Sequence, residues 1–288
     1  MDNDTALLRD LQLKSLEILD YFKDICDKNG LRFFLCGGCC IGALRHKGFI
    51  PWDDDIDVFM PRPDYEKLAK IWSSVADTNK YSYVRTTKTH YTRLMHAAIN
   101  DNQTTFIKDR QKDIDTWHGV RLEIIPLDGC PLSRFKRKMQ MMWALIYQVY
   151  NVAEPPTSKG RAANIIGKIM LGVLPFKSWR YGAWRLAEKR MSKYDFDKAE
   201  KITELVTRYK YMVNEYPASA FKSAVYMDFE GRKEPLPCGY DDYLHMAFGD
   251  YMQLPPDEEQ IPKHEAVYID LSKGFKGNPQ NSDLVKVM

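Results

Sequence analysis

Pro51-Trp52-Asp53-Asp54-Asp55-Ile56-Asp57-Val58-Phe59-Met60 sets four carboxylates within five residues and runs straight into apolar sequence. Like charges at this spacing repel, so a fold keeps them together only where something cationic offsets them. Ile56, Val58 and Phe59 carry the run into a strand. On a strand Asp55 and Asp57, two residues apart, point to one face. Two carboxylates so placed can hold Mg2+, or Mn2+, and leave room for phosphate oxygens. Asp53 and Asp54 are left to shape the turn or to pair with a nearby base. A solvated acidic turn is the plainer alternative. An EF-hand loop is excluded, because the Asp-x-Asp-x-Asp-Gly pattern and its later Glu are missing.

Upstream lies Leu35-Cys36-Gly37-Gly38-Cys39-Cys40. A strand that ends in Gly-Gly and opens a helix can turn backbone N–H groups toward a phosphate, which makes Gly37, Gly38 and Cys39 candidates. A simple tight turn is the alternative. Cys36 and Cys39 form a C-x-x-C pair that could be a redox or a zinc pair, but no second such pair or nearby His pair completes a zinc site. Between the glycines and the acidic run stand Arg45, His46 and Lys47, candidate phosphate contacts or partners of the aspartates. Gly-Gly followed by an acidic pair on the next strand is the order of polymerase-β-type nucleotidyltransferases.

Further out, residues 4–29 read as an amphipathic helix with Leu8, Leu11, Leu19, Phe22 and Ile25 in one stripe, stopped by Asn29-Gly30. Strands are expected over 31–36, 56–60, 81–85, 94–100, 104–107 and 120–125, the last ended by Pro126, and helices over 39–46 and 64–73. Residues 133–214 are helical in spacing, interrupted at 154–160. The remainder is rich in Pro, Gly and Tyr. This predicts an α+β fold: a catalytic core over 1–130 with a mixed sheet flanked by helices, a basic helical region over 131–215, and a C-terminal segment over 216–288 that packs back on the core.

The chain has 288 residues, a mean hydropathy of −0.46 and 12% aromatic residues, which excludes a disordered chain. Its net charge of +3 is no polycation seeking nucleic acid. Residues 131–185, however, hold ten Lys/Arg and one acid, a local +9. That implies an anionic neighbour, either a phosphate-rich polymer or a membrane surface met peripherally through Arg134, Lys136, Arg137 and Lys138 with Met139, Met141, Met142 and Trp143; a solvated helix face is the alternative. No apolar run has the length of a membrane span, the first residues lack the pattern of a signal peptide, and six cysteines read as reduced thiols. The expectation is a cytoplasmic protein that meets the inner face of the membrane peripherally.

Three stretches together resemble the LicD family of phosphotransferases, relatives of fukutin. The first runs from Phe34-Leu35-Cys36-Gly37-Gly38 through Gly42-Ala43-Leu44-Arg45-His46-Lys47-Gly48-Phe49-Ile50 into the acidic run. The others are Gly119-Val120-Arg121-Leu122-Glu123-Ile124-Ile125-Pro126-Leu127-Asp128-Gly129 and Gly249-Asp250-Tyr251-Met252-Gln253-Leu254-Pro255-Pro256. The resemblance implies a nucleotidyltransferase fold and transfer of phosphocholine from CDP-choline to a sugar hydroxyl of a bacterial surface glycan or teichoic acid precursor; relatives move ribitol phosphate. It also implies a third carboxylate, Glu123, where the family commonly has Asp, as metal ligand or as base. Cys39 stands where the related fold often has Ser or Thr.

Choline has no N–H and is recognised by aromatic faces and carboxylates. Trp52, Trp117, Tyr243, Phe248 and Tyr251 are the aromatic candidates, with Trp52 and Tyr251 favoured because they lie inside matched motifs. Asp250 and His264 are candidate supports. Two other functions fit the same residues: a nucleotidyltransferase that takes a triphosphate and releases pyrophosphate, and a non-catalytic polyanion-binding module.

Overall fold

The computed structural model describes residues 2–155, 161–262, 266–282 and 284. Helix α1 (Asp2–Asn29) buries the expected stripe, Leu8, Leu11, Leu19, Phe22 and Ile25, against the core. It stops at Gly30, whose φ of +59° suits a residue without Cβ, and Leu31 N–H bonds back to the Cys26 carbonyl at 2.9 Å. Of the strand expected over 31–36, only β1 (Phe34–Leu35) joins a ladder. Helix α2 (Gly37–Arg45) follows at once, then β2 (Ile56–Pro61) and α3 (Arg62–Val75). The chain continues through β3 (Tyr81–Val84), β4 (Ala97–Asp101), β5 (Thr105–Lys108), β6 (Thr116–Trp117) and β7 (Arg121–Cys130).

The central sheet has the order β1-β2-β7-β4-β3; β2 and β7 are parallel and the other pairs antiparallel. Strand β7 does not end at Pro126, as the proline had implied. On the side away from β2, β4 pairs with residues 121–124 and the later strand β8 (Lys201–Glu204) pairs with 127–130. Pro126 falls in the gap between these two partners, where a missing N–H breaks no ladder bond.

Between β7 and β8 come α4 (Arg134–Val152), α5 (Arg161–Val173) and α6 (Lys177–Met191). Ser133 caps α4, accepting a bond from the Lys136 amide. Tyr147, Trp184, Ala187 and Met191 form a second apolar cluster between α4 and α6. The helical reading of 133–214 missed β8, which returns to the sheet. A buried ion network ties this region to the core. Arg62 donates two 2.7 Å bonds to Asp128 on β7, and Glu188 of α6 takes Arg62 at 3.4 Å and Arg85.

After β8 come a short helix α7 (Tyr209–Met212), β9 (Tyr216–Pro217), the hairpin β10 (Ala224–Phe229) and β11 (Arg232–Pro237), helix α8 (Tyr240–Phe248), β12 (Ala266–Asp270) and β13 (Lys276–Gly277). These elements pack on the first 130 residues: β12 pairs with β5 and β13 with β6. Ion pairs from Arg9 to Glu230 (2.7 Å), Lys23 to Glu234 (2.9 Å) and Arg232 to Asp20 (2.6 Å) hold the hairpin against α1.

Candidate active site

A cleft of about 430 Å3 opens at the ends of β2 and β7, and Asp53, Asp54, Asp55, Asp57 and Glu123 all line it. Each has a structural cause. Asp57 and Glu123 are direct register partners on the parallel strands, so their side chains emerge next to each other. Asp53, Asp54 and Asp55 sit on the loop that leads into β2, so Asp55 precedes the strand on which it was expected to alternate with Asp57. Helix α1 holds that loop by its backbone: Gln12 donates to the Asp53 carbonyl at 2.9 Å and Ser15 to the Asp54 carbonyl at 3.4 Å. A Cβ on Gly38 would stand 2.3 Å from Asp53 Oδ2, so glycine there lets the Asp53 carboxyl settle over the start of α2.

The cluster is electrostatically frustrated. Burial, then repulsion from Asp53 and Glu123, pushes the Asp55 carboxyl up to about 8. Burial and Asp54 raise Asp53 to about 6. Asp57 is raised well above the carboxylate range by burial, Asp55 and Glu123, and its Oδ1 is buried without a hydrogen-bond partner. Glu123 goes the other way: burial would raise it, but His96, at 2.6 Å, and then Lys108 and Arg121 hold it well below the usual range.

These residues fit a hard divalent cation. Asp53, Asp54 and Asp55 each offer an oxygen within 4.8 Å of the others; Asp57, whose Oδ1 has no protein donor, lines the same cleft outside that trio. The set is wider than the pair read from strand alternation, since Asp53 and Asp54 face the same cleft as Asp55 and Asp57. The contacts of Arg45, His46 and Lys47 that the structure shows lead elsewhere: Arg45 donates to His46 Nε2 (2.9 Å) and to the Tyr251 and Gln253 carbonyls (3.1 and 3.3 Å), and the Lys47 carbonyl accepts from the Glu230 amide. Arg45, His46 and Lys47 do not line the cleft. Arg45 ties α2 to the 249–256 stretch, and Lys47 ties the 45–47 segment to the β10–β11 hairpin through Glu230.

Gly37 and Gly38 do line the cleft, but the Gly37 N–H is already given to Tyr243 Oη at 2.9 Å. The Cys39 amide bonds the Cys36 carbonyl, and the Cys39 side chain is buried off the cleft, 3.5 Å from the Asp55 carbonyl. Burial raises the Cys36 and Cys39 thiols, so neither is a reactive thiolate. The cations that reach the cleft are Lys108, Arg110 and Arg208, with His96. None was read from the sequence, although the alternation in β5 that puts Phe106 and Lys108 on one face was a usable signal.

The aromatic residues also sort differently from the sequence expectation. Trp52 packs edge-on against His46, Trp117 lies under Lys276, and Tyr251 donates to Asp241 at 2.7 Å; none of the three lines the cleft. Tyr211, Tyr243 and Phe248 do line it. The Tyr211 and Phe248 rings are 5.4 Å apart, and Phe248 meets Tyr243 edge-on at 6.3 Å. Beside them Glu204 is buried and raised to about 7 by that burial, against hydrogen bonds from Tyr216 and Thr207. Asp250 is not among the residues of the cleft wall, and His264 lies outside the described residues.

A family model described as the LicD/FKTN/FKRP nucleotidyltransferase domain matches residues 30–130, the span that carries the carboxylates. The lipopolysaccharide cholinephosphotransferase LicD of Haemophilus influenzae is 34% identical over 277 residues, covering 91% of this chain and 98% of that protein. The chain belongs to the LicD family. Its sheet and carboxylate cleft are therefore a nucleotidyltransferase-type core, and the protein is an enzyme of a transferase family. A shorter likeness reaches an uncharacterised Rickettsia prowazekii protein, 34% identical over 61 residues, 20% of this chain and 23% of that one. An uncharacterised Rickettsia typhi protein is 35% identical over 54 residues, 18% of each chain.

Proposed function

We propose that this LicD-family enzyme transfers phosphocholine from CDP-choline to a hydroxyl of a lipopolysaccharide-type surface glycan, with a teichoic acid precursor as the other acceptor class. The observation that carries the reading is the cleft itself, whose lining combines five clustered carboxylates with Tyr211, Tyr243, Phe248 and the further carboxylate Glu204. The 34% identity to a cholinephosphotransferase across nearly both chains supports the choice of alcohol.

In the proposed reaction the acceptor hydroxyl attacks the β-phosphorus, the bond to the CMP oxygen breaks, and CMP leaves. Asp55, Asp57 and Glu123, with Asp53 and Asp54 beside them, would hold Mg2+ or Mn2+. When bound, the ion would neutralise charge on the attacking and leaving oxygens. Lys108, Arg110 and Arg208 would bind the diphosphate by charge-assisted hydrogen bonds. Glu123 serves better as a fixed anion than as a base, because His96 and Lys108 hold it far below the pKa at which a carboxylate accepts a proton well.

Tyr211, Phe248 and Tyr243 would offer ring faces and edges to the quaternary ammonium, with Glu204 balancing its charge. Lys210 Nζ already lies 4.4 Å from the Tyr211 ring centroid, a cation on that ring within the chain itself. The reading places the protein in the cytoplasm, where thiols such as the six unpaired cysteines stay reduced.

The test is product identity. The enzyme, Mg2+ and a glycan acceptor are given CDP-choline or CTP with choline phosphate. CMP formed with acceptor from CDP-choline supports the proposal. Pyrophosphate from CTP, with no CMP from any CDP-alcohol, would instead establish nucleotidyl transfer.

A further inference from the structure

Helix α5 carries its apolar residues on the wrong side for packing. Gly167 and Leu171 face the helical cluster and are buried. Ile165, Ile166, Ile169 and Val173 fall within about 100° of arc on the opposite side of the helix. Together with Phe176 and Trp179, at the start of α6, they are between 49% and 67% exposed. Six large apolar side chains gathered on one exposed corner form a patch, unlike single apolar residues scattered over a surface.

Specific contacts hold the corner together. Arg180 donates to the Leu174 and Leu171 carbonyls at 2.7 and 2.9 Å, capping the end of α5, and Phe176 meets Trp179 edge-on at 5.0 Å.

Charge decides what covers it. Residues 161–190 contain seven Lys/Arg and one acid, Glu188, which is buried and ion-paired with Arg62, Arg85 and Arg185. A second copy of the chain would bring two such positive faces together, and a two-fold interface would oppose like charge to like. A polyanionic glycan would use the charges but leave the isoleucines and Trp179 in water. An anionic bilayer uses both: apolar side chains enter the interface while Lys and Arg meet the headgroups.

We propose that the α5–α6 corner docks the enzyme on an anionic membrane surface. No helix among the described residues is long and apolar enough to cross a membrane, and the contact proposed is a peripheral one. The docking patch differs from the one the sequence favoured. Arg137, named there, is buried and bonded to Gln140 and Thr203, and takes no part. The corner also adjoins the cleft wall: Tyr91 Oη donates to the Lys177 carbonyl at 2.9 Å, and Leu94 and Met95, shortly after, line the cleft.

The experiment is co-sedimentation of the full chain with vesicles of phosphatidylglycerol and phosphatidylethanolamine, or of phosphatidylcholine alone, without any donor. Binding should be at least tenfold tighter to the anionic vesicles and should fall at high salt. I169S with W179S should lose at least tenfold, and K168Q with K177Q about fivefold per charge. All four side chains are exposed, and unchanged melting temperatures would confirm intact folds. Equal affinity for both vesicle types, no binding, or native-like binding by I169S/W179S would overturn the proposal. So would a concentration-dependent dimer that the same variant abolishes, which would make the patch an interface between copies. Because no donor is present, these outcomes do not depend on the reaction assigned above.

Discussion

Replacing Asp55 with Asn should stabilise the metal-free protein. Asp55 is pushed up to about 8 from an ordinary value of 3.8, by burial first and then by Asp53 and Glu123. One pKa unit is about 1.4 kcal/mol, so at pH 8 the native state carries a cost of up to about 5 kcal/mol at this residue. Asp57 and Asp53 repel the same charge, so removing one carboxylate also relaxes its neighbours, while burying an amide takes back part of the gain. We expect a net gain of about 2–3 kcal/mol, or roughly 3–5 °C in melting temperature for a chain of this size. The sign with pH follows from the raised folded-state value. The cost is absent below the ordinary carboxylate pKa, grows as pH rises from near 4, and is complete near 8. Melting in EDTA, followed by circular dichroism between pH 5 and 8, should therefore show the native protein losing stability with pH faster than Asp55→Asn. Adding Mg2+ should raise the native melting temperature more than that of the variant and narrow the gap. A variant that melts no higher than the native protein in EDTA at pH 8, or a gap that is flat with pH, would refute the reasoning.

Other substitutions test separate parts of the account. Asp128→Ala leaves the buried Arg62 guanidinium without its two-bond partner and should cost about 3 kcal/mol in urea unfolding, a buried charge stripped of its mate. Tyr211→Ala with Phe248→Ala should raise KM for CDP-choline about 3- to 30-fold, the range of desolvated cation–π contacts, with kcat within about twofold. Gly38→Ala places a Cβ 2.3 Å from Asp53 Oδ2 and should displace that carboxyl; turnover should fall at least tenfold in steady-state assays while the circular dichroism spectrum stays native.

The core of the site was legible because strand alternation and short-range charge are properties of sequence. Four aspartates before an apolar strand had to collect on one cleft, and the helix stripe from Leu8 to Ile25 had to lie on the sheet. What was hidden depends on pairing between distant strands. That Glu123 stands beside Asp57 is set by the β2–β7 register, and the bond from His96 follows from β4 packing on the other side of β7. Lys108, Glu204 and Tyr211 approach from segments whose local patterns say nothing of where they end. Arg45, His46 and Lys47 misled for the same reason. Basic residues beside aspartates in sequence looked like their partners, yet Arg45, at the end of α2, donates to carbonyls of the C-terminal segment, His46 meets Arg45 and Trp52, and the Lys47 carbonyl accepts from Glu230. Strand β8 was missed because four residues within a helical stretch carry too little periodicity, and only pairing with β7 makes them a strand.

The central claim is that the carboxylate cleft performs a cation-dependent transfer of phosphocholine. The most direct measurement is CMP release from CDP-choline, with glycan acceptor, by the native enzyme and by Asp55→Asn with Asp57→Asn, each with Mg2+ and with EDTA. The account predicts release by the native enzyme only with the cation. It predicts none from the double variant, although that variant should melt at least as high as the native protein in EDTA. Native turnover that persists in EDTA, or turnover by the folded double variant near the native rate, would contradict it.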